Sequence, residues 1–144
     1  MKVRDLLRKQ SGKLVTCRPD TSVPEVAALL TEKRIGAVPV LGEKQRLVGV
    51  LSERDLARGI AEYGAQVIEL AVRDLMTREV TVCAPADSVR EAMFTMSRLH
   101  IRHLPVVDEG ALVGIISQRD VLKALLDQTE LEVSVLRDYA RAKP

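Results

Sequence analysis

The 144-residue sequence predicts an α/β (α+β) fold: two βαββα units packed in pseudo-twofold symmetry, followed by a C-terminal helix. Three observations predict it. The chain is written twice, since "VRDLL" at 3–7 returns as "VRDLM" at 72–76 and "TCRPDTSVPEVAALL" at 16–30 returns as "VCAPADSVREAMFTM" at 82–96. Further on, "RIGAVPVL" at 34–41 returns as "HIRHLPVV" at 100–107, and "LVGVLSERDL" at 47–56 as "LVGIISQRDV" at 112–121. Within each copy, serine-led runs of helical period alternate with short β-branched runs. Finally, a unit of roughly 60 residues buries only about 60% of its unfolded surface, so two copies are expected to pack on each other.

The repeat offset drifts from 69 at Asp5/Asp74 to 66 at Pro39/Pro105 and 65 at Asp55/Asp120, the deletions falling in the polar segments "RKQSGK" and "GEKQR". In the last pair of segments six of ten positions are identical, where ordinary residue usage gives about one.

Each copy has the same order of elements. A short lead-in strand at Thr16–Arg18 or Thr81–Cys83 comes first. Ser22 with Glu25, and Ser88 with Glu91, form capping-box patterns that start helices at 23–33 and 89–99. Val26, Leu29 and Leu30 in one, and Ala92, Met93 and Met96 in the other, recur at helical spacing. Two strand runs follow, "AVPVL" and "RLVGVL" in the first copy, "HLPVVD" and "ALVGII" in the second, each pair split by a Gly-containing turn. A second helix is expected at 53–62 and at 118–127. The segment "ELEVSVLRDYARA" at 130–142 reads as a separate C-terminal helix with Leu131, Val135, Leu136 and Tyr139 on one side. The expected organisation is therefore a first motif over 1–62, a linker over 63–71, a second motif over 72–128 and a C-terminal helix over 129–144.

Composition excludes several classes. With no Trp, one Phe (Phe94) and two Tyr (Tyr63, Tyr139), the chain lacks the stacking platforms of single-strand nucleic-acid binders. Its net charge of +2 comes from 22 basic and 20 acidic residues mixed along the chain, so duplex DNA is not an expected partner. The charged opening "MKVRDLLRKQ" is unlike a signal peptide, and no run reaches the roughly 18 apolar residues of a membrane span; a soluble, cytoplasmic protein with no membrane partner is expected. Cys17 and Cys83 sit in strand-like runs at equivalent positions and read as small buried hydrophobes, with a redox pair as the alternative. His100 and His103 have no Cys or carboxylate partners at metal-ligand spacing, and "SGKLVT" at 11–16 lacks the pattern of a phosphate loop and reads as a turn. No triad, Gly-rich loop or metal constellation marks an enzyme, and no catalytic cofactor is expected.

The repeated Ser-x-x-Asp stretch carries the functional question. Ser52 and Ser117 end a strand run, with Asp55 and Asp120 three residues on, so each serine is placed to cap a helix and each aspartate lies at the positive end of the dipole. Arg54 and Arg119 do not fit a purely structural account, because a cation in the first helical turn opposes the dipole. An anion site does account for them: a helix N-terminus, an arginine fork for phosphate and a carboxylate for vicinal hydroxyls together suit a ribose-phosphate.

Over residues 3–127 these motifs resemble the tandem cystathionine-β-synthase (CBS) domain pair, the Bateman module, on the strength of "VPV" or "LPVV" before a turn and the doubled "LVGVLSERDL"/"LVGIISQRDV". The resemblance implies a regulatory, signal-transducing homodimer that binds AMP, ADP, ATP, NAD or S-adenosylmethionine in clefts between the two copies. It implies that Asp55 and Asp120 hold ribose hydroxyls, that Ser52 and Ser117 lie against ribose or phosphate, and that Arg54 and Arg119 reach phosphates. Adenine walls and backbone contacts are expected from Thr16, Cys17 and Arg18 with Ile35, Gly36, Ala37, Val38 and Pro39, and from Thr81, Val82 and Cys83 with Ile101, Arg102, His103, Leu104 and Pro105. Gly36 and Ala37 become Arg102 and His103 in the second copy, so the sites are expected to be unequal, the more basic one suiting phosphate-rich ligands. The segments 34–39, 100–105 and 62–71 are the candidate moving parts, and an unidentified target protein is implied. The alternative is a dimeric scaffold whose ligand clefts are vestigial.

Overall fold

A computed structural model describes residues 1–10 and 12–142. The turn expected at 11–16 begins at Ser11, which lies outside the described residues, as do the last two positions of the 129–144 segment. The elements, in chain order, are α1 (Val3–Lys9), α2 (Val23–Lys33), β1 (Ala37–Leu41), β2 (Leu47–Ser52), α3 (Glu53–Tyr63), a 3-10 turn (Gly64–Glu69), α4 (Val72–Leu75), α5 (Val89–Leu99), β3 (His103–Asp108), β4 (Ala111–Ser117) and α6 (Gln118–Ala142). They make two two-stranded sheets, β1–β2 and β3–β4. In the first the strands run antiparallel, with Ala37 opposite Ser52, Val38 opposite Leu51 and Pro39 opposite Val50.

The duplicated helices begin where the serines place them. Ser22 Oγ accepts the Glu25 N–H at 3.2 Å and Ser88 Oγ accepts that of Glu91 at 3.0 Å. Both helices end on a residue in the left-handed region, Arg34 at φ 55° and His100 at φ 55°. The following N–H then reaches back across the turn, from Ile35 to the Leu30 carbonyl at 3.1 Å and from Ile101 to that of Met96 at 3.0 Å, which closes a Schellman-type cap.

The contacts divide the chain into two compact units. Residues 12–82 build the core of one: Val23, Val26 and Leu30 of α2 pack with Val38 and Val40 of β1, Leu51 of β2, and Val67, Val72, Leu75 and Met76 beyond α3. The other gathers α1, α5 and the start of α6, with Val3, Val89, Met96 and Val121 buried. The helix that opens each copy, α1 or α4, therefore sits with the other copy's helices. Val3 donates to the Asp87 carbonyl at 2.9 Å and Arg4 to that of Pro85 at 3.0 Å, while Val72 donates to Thr21 at 2.8 Å and Arg73 to Pro19 at 2.9 Å.

Three expectations are corrected. The lead-in strand at Thr16–Arg18 shrinks to a single parallel bridge, Cys17 to Val40. It cannot lengthen, because the Arg18 N–H is taken by Thr21 Oγ1 at 3.0 Å and Pro19 has no N–H to give. Thr81–Cys83 likewise retains only a one-residue bridge, at Cys83. The helices expected separately at 118–127 and 130–142 are one continuous α6 of 25 residues. No Gly or Pro interrupts "DQTE", and Thr129 turns its hydroxyl back to the Leu125 carbonyl at 2.9 Å, satisfying it within the helix. Leu131, Val135, Leu136 and Tyr139 on its distal turns are each more than half exposed, so they do not cover this chain's own apolar surface.

The joining segment 62–71 is ordered as the end of α3, the 3-10 turn and an approach to α4. Val67 anchors it, 8% exposed within the core, and Ser22 bridges Ala71.

Candidate functional site

The two Ser-x-x-Asp stretches stand at the strand-to-helix junctions β2–α3 and β4–α6, where a serine ends the strand and caps the helix. In the first, Ser52 Oγ accepts the Asp55 N–H at 3.2 Å, and Asp55 Oδ2 accepts the Ser52 N–H at 2.9 Å and the Ser52 hydroxyl at 3.1 Å. In the second, Ser117 Oγ accepts the Asp120 N–H at 3.0 Å and Asp120 Oδ2 accepts the Ser117 N–H at 3.0 Å. Both are reciprocal capping boxes built with Asp rather than Glu at the third helical position. A second donor of each helix end is satisfied by the segment before the first strand of its pair: Glu53 N–H donates to the Gly36 carbonyl at 3.0 Å and Gln118 N–H to that of Arg102 at 2.8 Å. Protein acceptors thus take two first-turn donors in each helix, so an anion there would depend mainly on side chains.

Those side chains gather in the second copy. Arg102, His103, Ser117, Arg119 and Lys123 line an open pocket of about 570 Å³, together with Leu122, Leu126, Asp127 and Glu130. That volume is within the range of small-ligand sites. Arg102 and His103, the substitutions that distinguish the second copy, are thereby brought onto one surface with Ser117 and Arg119. Asp120 is not on that surface; it is held by the Ser117 N–H and by the Gln10 amide, which donates to Oδ2 at 3.5 Å.

The expected walls are mostly core. Ala37, Val38 and Pro39 are buried, as are Leu104 and Pro105, while Ile35, Gly36 and Ile101 are half-buried at the starts of these segments. Cys17 is 7% exposed, its N–H bound to the Pro39 carbonyl at 3.0 Å and its carbonyl to the Leu41 N–H at 2.9 Å. Cys83 is 8% exposed. Thr16 and Thr81 are half-buried, whereas Arg18 and Val82 are exposed. Burial pushes both thiols up to about 11, with the Asp87 carboxylate adding to the effect at Cys83, so each is protonated and unreactive at neutral pH. Both cysteines are free.

Four residues at the caps were not singled out from the sequence: Arg58 and Thr77 on Asp55, Gln10 on Asp120, and Lys123 in the pocket. Arg58 and Lys123 carry a usable signal, a basic residue three positions after each aspartate in both copies. Thr77 and Gln10 carry none, because they arrive from 22 and 110 positions away. Among the described residues no group of three His, Cys, Asp or Glu could hold a metal ion, and no helix is long and apolar enough to cross a membrane.

Two short antiparallel sheets, doubled helices and a doubled aspartate cap define a duplicated α/β module. The model of the CBS domain family matches residues 3–62 and again 72–127. The chain belongs to the CBS-domain family, as the tandem pair known as a Bateman module.

A curated relative, the mitochondrial CBS domain-containing protein CBSX3 of Arabidopsis thaliana, is 32% identical over 137 residues, which cover 92% of this chain and 66% of that protein. The next two curated relatives are matched over 42% and 57% of their length, so the chain spans between two fifths and two thirds of these proteins. Among solved structures, a CBS-domain containing protein from Agrobacterium tumefaciens superposes with a TM-score of 0.82 at 37% identity, covering 85% of this chain and 92% of that one. The structure of CBSX2 in complex with AMP superposes with a TM-score of 0.76 at 31% identity, covering 89% of this chain and 98% of that one.

Proposed function

We propose that this chain is a regulatory module that binds an adenosine nucleotide at the aspartate cap of a strand-to-helix junction and signals by a change of shape or association. The observation that carries the reading is that one junction, β4–α6, offers a ribose-suited carboxylate and phosphate-suited side chains from neighbouring residues. Asp120 stands one residue from Arg119, and Arg119 shares a pocket with Arg102, His103 and Lys123. Carboxylates accept from vicinal hydroxyls and guanidinium groups fork onto phosphates, so a nucleotide's ribose-phosphate matches both halves. The AMP complex of the similar protein CBSX2 supports adenosine as the nucleoside. Within this reading the nucleotide is a regulatory ligand, and the module acts on a target protein without chemistry of its own. A ligand shifts a conformational equilibrium only through unequal affinity for two states, so the response requires two arrangements of the chain or of its dimer.

Homodimerisation belongs to the same reading and is supported by the apolar side chains that α5 and α6 leave in water. Phe94 is 68% exposed and Leu126 61%, with Leu131 and Leu136 beyond them. That surface also favours the second reading, a dimeric scaffold in which the caps are only structural. Calorimetry of nucleotide-free protein against AMP, ATP, NAD and S-adenosylmethionine separates the two, with light scattering before and after addition. Saturable heat with at least one of them, on a dimer, is the expected result. A dimer that yields neither heat nor a thermal shift with any of the four at millimolar concentration is the scaffold.

A further inference from the structure

The two aspartate caps differ in what their second carboxylate oxygen does. Asp55 is 4% exposed, and both of its oxygens are taken. Oδ2 accepts the Ser52 N–H and hydroxyl, and Oδ1 accepts Arg58 Nη2 at 2.6 Å and Thr77 Oγ1 at 3.2 Å. Asp120 is half-buried, and both of its bonds fall on Oδ2, from the Ser117 N–H at 3.0 Å and the Gln10 amide at 3.5 Å. Among the described residues no bond falls on Asp120 Oδ1, and the Ser117 hydroxyl gives no proton to Asp120 as that of Ser52 does to Asp55.

The sequence differences between the copies account for this. Thr77 corresponds, at the offset of 69, to Arg8, which has no hydroxyl and is drawn to Asp5 at 3.9 Å. Arg58 corresponds, at the offset of 65, to Lys123, which lines the pocket. A sugar diol held by a carboxylate needs an acceptor oxygen that is not already saturated. At Asp55 the diol must displace a charge-assisted bond and a hydroxyl donor; at Asp120 it displaces neither.

We propose that Arg58 and Thr77 close the Asp55 cap from within and leave the chain a single nucleotide site, at Asp120, whose phosphates go to Arg102, Arg119 and Lys123. The proposal rests on the nucleotide reading above and adds stoichiometry and address to it. Arg58 and Thr77 act here as positioning residues that hold a carboxylate away from ligand.

Isothermal titration of the full chain with ATP, and separately with AMP, tests it. One nucleotide per chain is expected, with affinity falling about 10- to 100-fold in Asp120→Asn, the loss of one charge-assisted hydrogen-bond acceptor. Asn keeps an oxygen for the Ser117 N–H, and a thermal unfolding curve without nucleotide establishes that the variant is folded. In Arg58→Leu/Thr77→Val the Asp55 oxygen is released, and a second, separate binding event is expected. Two nucleotides per chain in the parent, or binding undiminished by Asp120→Asn, overturns the single-site proposal while leaving the nucleotide reading standing. An absence of heat from both nucleotides in the parent overturns the nucleotide reading and this proposal with it.

Discussion

Ser52 and Asp55 exchange hydrogen bonds in both directions: the Asp55 N–H donates to Ser52 Oγ at 3.2 Å, and Asp55 Oδ2 accepts the Ser52 N–H at 2.9 Å. Ser117 and Asp120 repeat the exchange at 3.0 Å each way. A serine that satisfies an otherwise unpaired helix donor is worth about 1 kcal/mol against alanine. Ser52→Ala and Ser117→Ala are each expected to lower the unfolding free energy by about that amount in urea denaturation. Ser52→Ala should cost the more, because the Ser52 hydroxyl also donates to the buried Asp55 carboxylate at 3.1 Å. Equal stability of parent and both variants would show that the caps are replaced by water.

Gly49 matters for a different reason, the approach of β2 to the segment after α4. Val50 and Thr77 exchange backbone bonds at 3.0 and 2.9 Å. A Cβ on Gly49 would come within 2.7 Å of Met76 Sδ and 2.9 Å of the Thr77 carbonyl oxygen. The sulfur can move, but the carbonyl belongs to the bridge, so Gly49→Ala must push Thr77 outwards. Overpacking of this kind costs about 1–3 kcal/mol, and a loss of that size in the unfolding free energy measured by urea denaturation is expected. A neutral Gly49→Ala would mean that residues 76–77 are loosely held, and the Thr77 bond to Asp55 with them.

The parts of this architecture that were legible in the sequence are those set by local chemistry. α2 and α5 begin after Ser22 and Ser88 because a serine oxygen three residues ahead of an N–H is a local geometric fact, readable without knowing the fold. The strand pairs were readable because β-branched runs flank short polar turns. The continuity of α6 was not. Its buried stripe, Val121 and Ala124, ends where the helix leaves the core, and Leu131, Val135 and Tyr139 take up the apolar spacing in water. Periodicity reports which side is apolar, not whether the backbone is interrupted.

The exchange of α1 and α4 between the copies was hidden for the opposite reason. "VRDLL" and "VRDLM" are nearly the same string, so nothing in either one says which copy's helices it joins. At the caps, the Ser-x-x-Asp geometry was visible and the difference between the two aspartates was not. That difference depends on Thr77 and Gln10, whose positions only the folded chain determines.

Cys17 and Cys83 give the chain a predictable alkaline weakness. Burial holds both thiols at about 11 against an ordinary 9.0, with the Asp87 carboxylate contributing at Cys83. In the unfolded chain the same groups lose their protons near pH 9.0. Between these values the folded chain binds protons that the unfolded chain has released, so the unfolding free energy falls as pH rises. The contribution is complete below pH 9.0 and gone once pH passes about 11. Urea midpoints measured across that window should fall in the parent and fall less steeply in Cys17→Ala/Cys83→Ala, each compared with its own value at neutral pH. The comparison isolates the two thiols, because both proteins carry every other group. Below pH 9.0 the native parent should react slowly with a thiol reagent, and urea should accelerate the reaction in step with unfolding. Rapid labelling of the native chain at neutral pH, or identical alkaline slopes in parent and double variant, would place these sulfurs outside the core.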